Sequence, residues 1–188
     1  MLYTTLALLR KADACNAGLA TLTASLPKTQ SEDKNISLAH ILKSNGLQHA
    51  IWALGATTVD GKRYAQRMAI DFALECLPYF EKQYPDDKRP RTAIEAAGLF
   101  LDGKITLKEV DDAANAAANA VNTVYAAYAA NAVNAAANAA SAASPHAANA
   151  AAYAGYTAAN AAYAVNAAYA AYAANAKIFL KWIRKAKA

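Results

Sequence analysis

The chain has 188 residues, of which 56% are hydrophobic and 18% charged. This length holds one domain, or one domain with an appendage, and the low charge excludes a disordered, highly charged protein. Seven Gly and five Pro exclude collagen-like and Pro-rich chains, and two Cys exclude a disulfide scaffold or a four-thiolate zinc site. So little cysteine is typical of a reducing compartment, and we therefore expect the protein in the cytoplasm.

The formal net charge of +5 is concentrated at one end of the chain. Residues 1–112 hold 14 basic and 14 acidic side chains, residues 113–176 hold neither kind, and residues 177–188 hold five basic ones. A duplex-binding protein spreads Lys and Arg over a groove-sized surface, so duplex nucleic acid is not an expected partner. Ten Asn in the uncharged stretch argue against a transmembrane span. We expect two parts, 1–112 and 113–188, within one integrated domain.

Apolar residues recur at helical spacing through the first part, and no segment alternates for long enough to predict a strand. The expected helices cover 4–14, 38–44 (capped by Ser37), 47–56 and 62–84. Pro78 lies inside the last of these, where its missing backbone donor predicts a kink. The side chains expected to face the core are Ile51, Trp52, Leu54, Met68, Phe72, Leu74, Leu77 and Phe80.

Two Thr-x-x-Glu sequences predict helix starts. In this pattern the hydroxyl and the carboxylate satisfy each other's exposed backbone amides. Thr92 and Glu95 predict a helix over 93–101 that stops at Asp102-Gly103, and Thr106 and Glu109 predict the start of the next helix.

An alanine tract follows. Residues 113–176 hold 36 Ala, ten Asn and seven Tyr. Alanine has the highest helix propensity but little area to bury, so such helices must approach each other closely. Ser144-Pro145 predicts a break, and we expect an antiparallel hairpin of helices over 107–143 and 145–185. The predicted fold class is all-α, with an N-terminal helical bundle followed by a long Ala-rich hairpin packed on it.

The larger residues of the tract fall in step with the helix. Asn149, Tyr153, Tyr156, Asn160 and Tyr163 are separated by steps of 4 and 3, which places them within about 80° of arc. The stripe is either the solvated face of the hairpin or a contact surface, since Tyr offers stiff amphipathic area and Asn both donates and accepts.

No catalytic set is recognisable. None of the three His, at positions 40, 49 and 146, has a Cys or a carboxylate at metal-ligand spacing on the same predicted helix face, and phosphate-binding and nucleophile motifs are absent. Cys15 and Cys76 are interpreted as buried small hydrophobic residues. Asp71 and Glu75 stand four apart but lack a second carboxylate pair, so a solvated face is preferred to a metal site. We expect no enzyme activity, no cofactor and no metal.

The densest polar cluster is the run Tyr84-Pro-Asp-Asp-Lys-Arg-Pro-Arg91. In one interpretation, Asp86 and Asp87 pair with Arg89, Arg91 and nearby helix ends and lock the turn. In the other, the segment presents its charges to a partner protein.

The basic amphipathic segment 178–185 also has two interpretations. It either lies on an anionic membrane or closes the end of the hairpin with its large apolar side chains. These side chains are Phe179, Leu180, Trp182 and Ile183.

Three stretches together carry a family resemblance. They are Asn45-Gly-Leu-Gln-His-Ala-Ile-Trp-Ala-Leu54, then Leu77-Pro-Tyr-Phe-Glu-Lys-Gln-Tyr-Pro-Asp-Asp-Lys-Arg-Pro-Arg-Thr-Ala-Ile-Glu-Ala-Ala97, then the alanine tract. Over roughly residues 37–176 the chain resembles the putative immunity proteins, which are similar to the fifth immunity class of bacterial polymorphic-toxin systems and also occur in phage genomes. The resemblance implies an all-helical inhibitor of a toxin.

Three functions follow as hypotheses. The first is a non-enzymatic protein that neutralises a toxin or a host defence component by stoichiometric binding. The alternative is an oligomer that sequesters a nucleotide-type signalling molecule in Tyr/Asn-lined clefts, because Tyr can stack on a base and Asn can bond its edge. A structural role, with the tract as the seam of a homo-oligomer, is a third.

Overall fold

The structure is a computed structural model that describes residues 1–59, 61–121 and 168–186. Within these ranges the chain forms eight α-helices, one short 3-10 helix and one two-stranded sheet, which confirms the all-α class. The elements are β1 (Tyr3–Thr4), α1 (Leu6–Lys11), α2 (Asn16–Ser25), β2 (Ile36–Ser37), α3 (Leu38–Asn45), α4 (Leu47–Trp52), the 3-10 helix Ala53–Ala56, α5 (Lys62–Gln83), α6 (Arg89–Leu101), α7 (Leu107–Val121) and α8 (Ala168–Lys185).

The expectation that no strand forms is wrong. β1 pairs antiparallel with β2, with Tyr3 opposite Ser37 and Thr4 opposite Ile36. Strands of two residues are too short to show an alternating pattern, so their pairing is decided by tertiary contacts. Leu38 extends the bonding by donating its N–H to the Leu2 carbonyl at 3.1 Å.

The helix expected over 4–14 is shorter and is followed by a tight reversal. The Thr5 hydroxyl caps α1 by accepting from the Leu8 N–H at 3.1 Å. Past the helix, Asp13 adopts a left-handed φ of 58° and donates to the Arg10 carbonyl, while the Ala14 N–H donates to the Leu9 carbonyl. This hydrogen-bond pair is the Schellman ending of a helix, and it turns the chain directly into α2.

The middle of the first part follows the prediction closely. The Ser37 hydroxyl caps α3 by accepting from the His40 N–H at 3.1 Å, and Gly46 ends that helix with a φ of 84°. The expected helix over 47–56 forms as α4 and continues as the 3-10 helix. Trp52 was expected in the core, but 37% of it is exposed at the surface.

α5 spans the core and continues past Pro78 to Gln83. Four of its predicted core side chains are at most 1% exposed, namely Met68, Phe72, Leu77 and Phe80. Leu74 is 43% exposed, which corrects its predicted burial. It stands two residues after Phe72, and two residues turn a helix by about 200°, so its side chain projects from the opposite face.

The two predicted capping boxes have different outcomes. At the start of α7 the Glu109 carboxylate accepts from the Thr106 N–H at 2.7 Å, and the Glu109 N–H donates to the Thr106 hydroxyl at 3.4 Å. The box at Thr92 is wrong, because α6 already begins at Arg89 and the Thr92 N–H donates to the Lys88 carbonyl. Pro90 lies in the first turn, where its fixed φ favours an earlier start.

α8 closes the core against the first part of the chain. Phe179 and Ile183 are fully buried, and the helix contacts α5, α3 and α4. The Leu2 N–H donates to the Ile183 carbonyl at 3.0 Å, so the N-terminal strand also lies against it. α7 packs along α6. The first predicted hairpin helix begins as α7, and the second ends as α8. The residues between α7 and α8, with Ser144-Pro145 among them, lie outside the described residues.

Across the described part of the chain, none of the helices combines the length and the apolar character that crossing a membrane requires.

Candidate functional site

The segment 84–91 runs from the end of α5 through the first turn of α6, and we refer to it as the charged connection. Tyr84 ends α5 by donating its N–H to the Phe80 carbonyl at 2.9 Å, and the two ring centres lie 5.2 Å apart. The Asp87 N–H then donates to the Tyr84 carbonyl at 3.2 Å, which closes a turn. One end of the connection is therefore attached to the buried core.

Asp87 and Arg89 form a two-pronged ion pair within the connection. Arg89 Nε and Nη2 donate to the two carboxylate oxygens of Asp87 at 2.9 and 2.6 Å, and the Arg89 backbone N–H donates to the same carboxylate at 3.1 Å. The hydrogen bonds from the guanidinium outweigh partial burial and hold the pKa of Asp87 below its ordinary value. For Asp87 and Arg89, the pairing agrees with the turn-locking interpretation.

Arg91 has a partner that the sequence analysis did not anticipate. Its Nε and Nη2 donate to the two carboxylate oxygens of Glu81 at 2.6 and 2.7 Å. This bond lowers the pKa of Glu81 and raises the pKa of Arg91. Glu81 lies on α5, ten residues before Arg91, so the pair ties α6 to α5 across the turn.

The charged groups are held in place but remain open to solvent. The side chains of Arg89 and Arg91 are 40% and 43% exposed, whereas their carboxylate partners are mostly covered. A guanidinium carries five N–H donors, and Arg89 and Arg91 each donate two of them to the partner carboxylate. Asp86 and Lys88 are exposed beside them, with the Lys88 ammonium donating to the Pro85 carbonyl at 2.6 Å. The connection is therefore an oriented set of donors that can receive carboxylates or backbone carbonyls.

The second set of predicted site residues lies outside the described part of the chain. This set is Tyr153, Tyr156, Asn160 and Tyr163. The ends of the tract that are described differ from each other. On α7, Asn115 and Asn119 are exposed and Ala117 is buried, which is the pattern of a solvated Asn face. On α8, Asn175 is 1% exposed.

Asp71 was interpreted as part of a solvated face, and this is wrong. Its carboxylate accepts from the Lys181 ammonium at 2.7 Å and from the Trp182 indole N–H at 2.9 Å, so it anchors α8 on α5. Glu75, one turn further along, is exposed as expected. Among the described residues, no three His, Cys, Asp or Glu side chains are grouped as metal ligands would be.

The structure also brings together a pair that sequence reasoning missed. Cys15, expected to be buried, is exposed, and its Sγ lies 4.0 Å from His49 Nε2 at a cavity of about 300 Å³. Cys15 lies at the start of α2 and His49 lies on α4, 34 positions later. No local spacing in the sequence therefore indicates their contact. The helix that begins at Asn16 was not among the expected ones, so the position of Cys15 before a helix gave no signal either.

Comparisons with known proteins give a match to a family model. No curated protein and no solved structure matches the chain significantly. The family model described as Imm-5 like putative immunity protein matches residues 55–182, which include the charged connection, α6 and the alanine tract. The chain therefore belongs to the family of Imm-5 like putative immunity proteins.

Proposed function

We propose that this protein is a non-enzymatic inhibitor that neutralises a protein toxin, or a defence protein of the bacterial host, by stoichiometric binding in the cytoplasm. The binding residues that we propose on the described surface are Tyr84, Asp86, Asp87, Arg89 and Arg91. Membership of an immunity protein family supports a protein partner.

The observation that carries the proposal is that a carboxylate holds each of the two arginines through two hydrogen bonds. Ordering an Arg side chain at an interface costs about 0.5–1.5 kcal/mol, and a side chain already held in its bound geometry avoids most of that cost. Asp87 and Glu81 hold Arg89 and Arg91 in this way, and the two arginine side chains remain 40% and 43% exposed. Arg is also one of the residues that most often dominate binding energy at protein interfaces.

We also propose that 1–112 and 113–188 function as one domain. The buried face of α8, from the second part, packs on α5, α3 and α4 of the first part. A partner that binds the charged connection would then bind a surface that both parts support.

The test begins with capture of partners from host lysate on the full chain, followed by calorimetry with the purified partner. We expect a one-to-one protein complex that the Arg89→Ala/Arg91→Ala variant weakens at least tenfold, about 1.4 kcal/mol. Lys28→Ala, which removes an exposed positive charge from the α2–β2 loop, is the matched control and should bind as the native chain does.

Each part of the proposal can fail separately. Equal affinity of the double variant and the native chain would remove the charged connection from the interface. Absence of any stoichiometric protein partner, together with submicromolar binding of a cyclic nucleotide, would replace the proposal by the nucleotide-sequestering alternative, in which the protein would be an oligomer.

A further inference from the structure

A cavity of about 300 Å³ opens between α2 and the α3–α4 pair, away from the charged connection. Its buried end is aliphatic, and its exposed end holds a thiol and an imidazole. The buried lining residues are Leu9, Leu19, Leu22 and Ile41, and the exposed end includes Cys15, His49 and Trp52, which is 37% exposed. Pockets for small molecules begin at about this volume and have this mixture of apolar walls and few polar groups.

The imidazole of His49 is oriented toward the thiol. His49 Nδ1 lies 3.0 Å from the Asn45 carbonyl oxygen, and since a carbonyl only accepts, Nδ1 carries the hydrogen. In the neutral ring the lone pair is then on Nε2, the atom 4.0 Å from Cys15 Sγ. His49 is therefore placed to take the thiol proton.

The start of α2 supports the same sulfur atom. Cys15 is the N-cap of this ten-residue helix, and the Gly18 N–H donates to Sγ at 3.4 Å. The remaining amides of the first turn have no partner inside the helix and can stabilise negative charge that develops next to Sγ.

Gly18 makes the close approach of the pair feasible. A Cβ at this position would lie 3.0 Å from His49 Cδ2 and 3.1 Å from Cys15 Sγ, closer than ordinary contact allows. Glycine is otherwise unfavourable inside a helix, so its presence here is explained by the space that the two side chains need.

We infer that Cys15 is an acylation site, at which the thiol accepts a short or medium acyl group from an acyl thioester and the cavity holds the acyl chain. Sγ attacks the thioester carbonyl carbon and forms a new carbon–sulfur bond, while the carbon–sulfur bond to the donor breaks. The thiol proton passes through His49 Nε2 to the departing thiolate, which leaves as a free thiol. The product is a Cys15 thioester, and neither an oxidant nor a reductant is needed.

The lining favours this class of ligand over a polar one. An acyl chain matches the aliphatic end of the cavity, and its carbonyl would lie at the exposed end beside Sγ and the amides of α2. The volume is at the lower limit of small-molecule pockets, so a long chain should not fit inside.

The test uses the full chain with three donors: acetyl-, octanoyl- and hexadecanoyl-coenzyme A, followed by intact mass spectrometry. We expect one acyl group per chain, released by hydroxylamine, with octanoyl transfer at least tenfold faster than hexadecanoyl transfer. Cys15→Ser should abolish the label, and the matched Cys76→Ser should retain it. His49→Gln should slow the transfer at least tenfold, in line with general-base catalysis, with the melting temperature recorded as a folding control.

Gly18→Ala gives a second variant that leaves both reacting side chains in the sequence. It should slow the transfer by separating thiol and imidazole. The inference is overturned if Cys76 is labelled as fast as Cys15, if the rate does not depend on chain length, or if a folded His49→Gln protein reacts as fast as the native chain. Continuous release of coenzyme A beyond one equivalent would overturn it too, because the site would then be hydrolytic.

Discussion

The Asp71 carboxylate adds polar contacts to the apolar packing of α8 on α5, and their contribution can be worked out from the groups that it accepts from. The Lys181 ammonium is half exposed, so its ion pair with Asp71 contributes about 0–1 kcal/mol. The Trp182 indole N–H is partly buried, and a hydrogen bond from it to a charged oxygen contributes about 1.5–3 kcal/mol.

Two substitutions separate these contributions. Asp71→Asn loses the ion pair and replaces the charged acceptor of the indole N–H by a neutral amide oxygen, so we expect a loss of about 1–2 kcal/mol. Asp71→Ala leaves the indole N–H without its partner, so we expect a loss of about 2–3 kcal/mol. For a chain of this size the second change lowers the melting temperature by about 4–12 °C.

Urea and thermal unfolding, followed by far-ultraviolet circular dichroism, measure both losses. Glu75→Ala, which removes an exposed carboxylate one turn along the same helix, is the matched control and should change stability by less than about 0.5 kcal/mol. In a double-mutant cycle, Trp182→Phe should add little to Asp71→Ala, because both remove the same bond. Equal losses for Asp71→Asn and Asp71→Ala, or a fully stable Asp71→Ala protein, would refute the assigned role of the indole bond.

Three further predictions concern the turns and the charged connection. The pKa values of Glu81 and Asp87 are lowered, so the stability that these ion pairs contribute is present at neutral pH and is lost as the pH falls through and below about 4. The urea midpoints at pH 7 and pH 3 should therefore differ less for the Glu81→Gln/Asp87→Asn variant than for the native chain, and an unchanged difference would contradict this. Asp13→Gly should stabilise the chain by about 0.5–1 kcal/mol in urea unfolding, because glycine tolerates the left-handed φ; a loss of stability would show that the Asp13 side chain makes a stabilising contribution of its own. Thr106→Ala should cost about 1 kcal/mol as the loss of a helix cap, whereas Thr92→Ala, inside α6, should cost less than about 0.5 kcal/mol; equal costs would place the start of α6 at Thr92 after all.

Local signals in the sequence predicted most helix boundaries, because caps act within four residues. Ser37 and Thr106 cap as expected, and the turns at Gly46 and Gly103 have the left-handed φ that favours glycine. Thr92 failed because a competing local signal, Pro90, lies two residues earlier in the same helix. Both outcomes follow from rules of helix starts.

Contacts between distant elements were not predictable in the same way. The approach of Cys15 to His49 depends on how α2 packs beside α4, and that of Asp71 to Trp182 on how α8 packs on α5. The charged connection is intermediate: the Asp87–Arg89 pair spans two residues and was anticipated, whereas the Glu81–Arg91 pair crosses between two helices and was not. The spacing of apolar residues along the sequence does not tell which helices pack against each other.

The packing of α8 against α5 has a consequence for how the protein folds during its synthesis. Asp71 and Lys181 are 110 residues apart, and Phe179 belongs to the same buried cluster as Phe72 and Phe80. A nascent chain on the ribosome therefore displays the apolar side of α5 until the alanine tract has been translated and α8 has emerged. A ribosome that stalls within the tract would leave a truncated chain with an exposed apolar surface. Chaperone binding and proteolysis should therefore be greatest for fragments that end before α8.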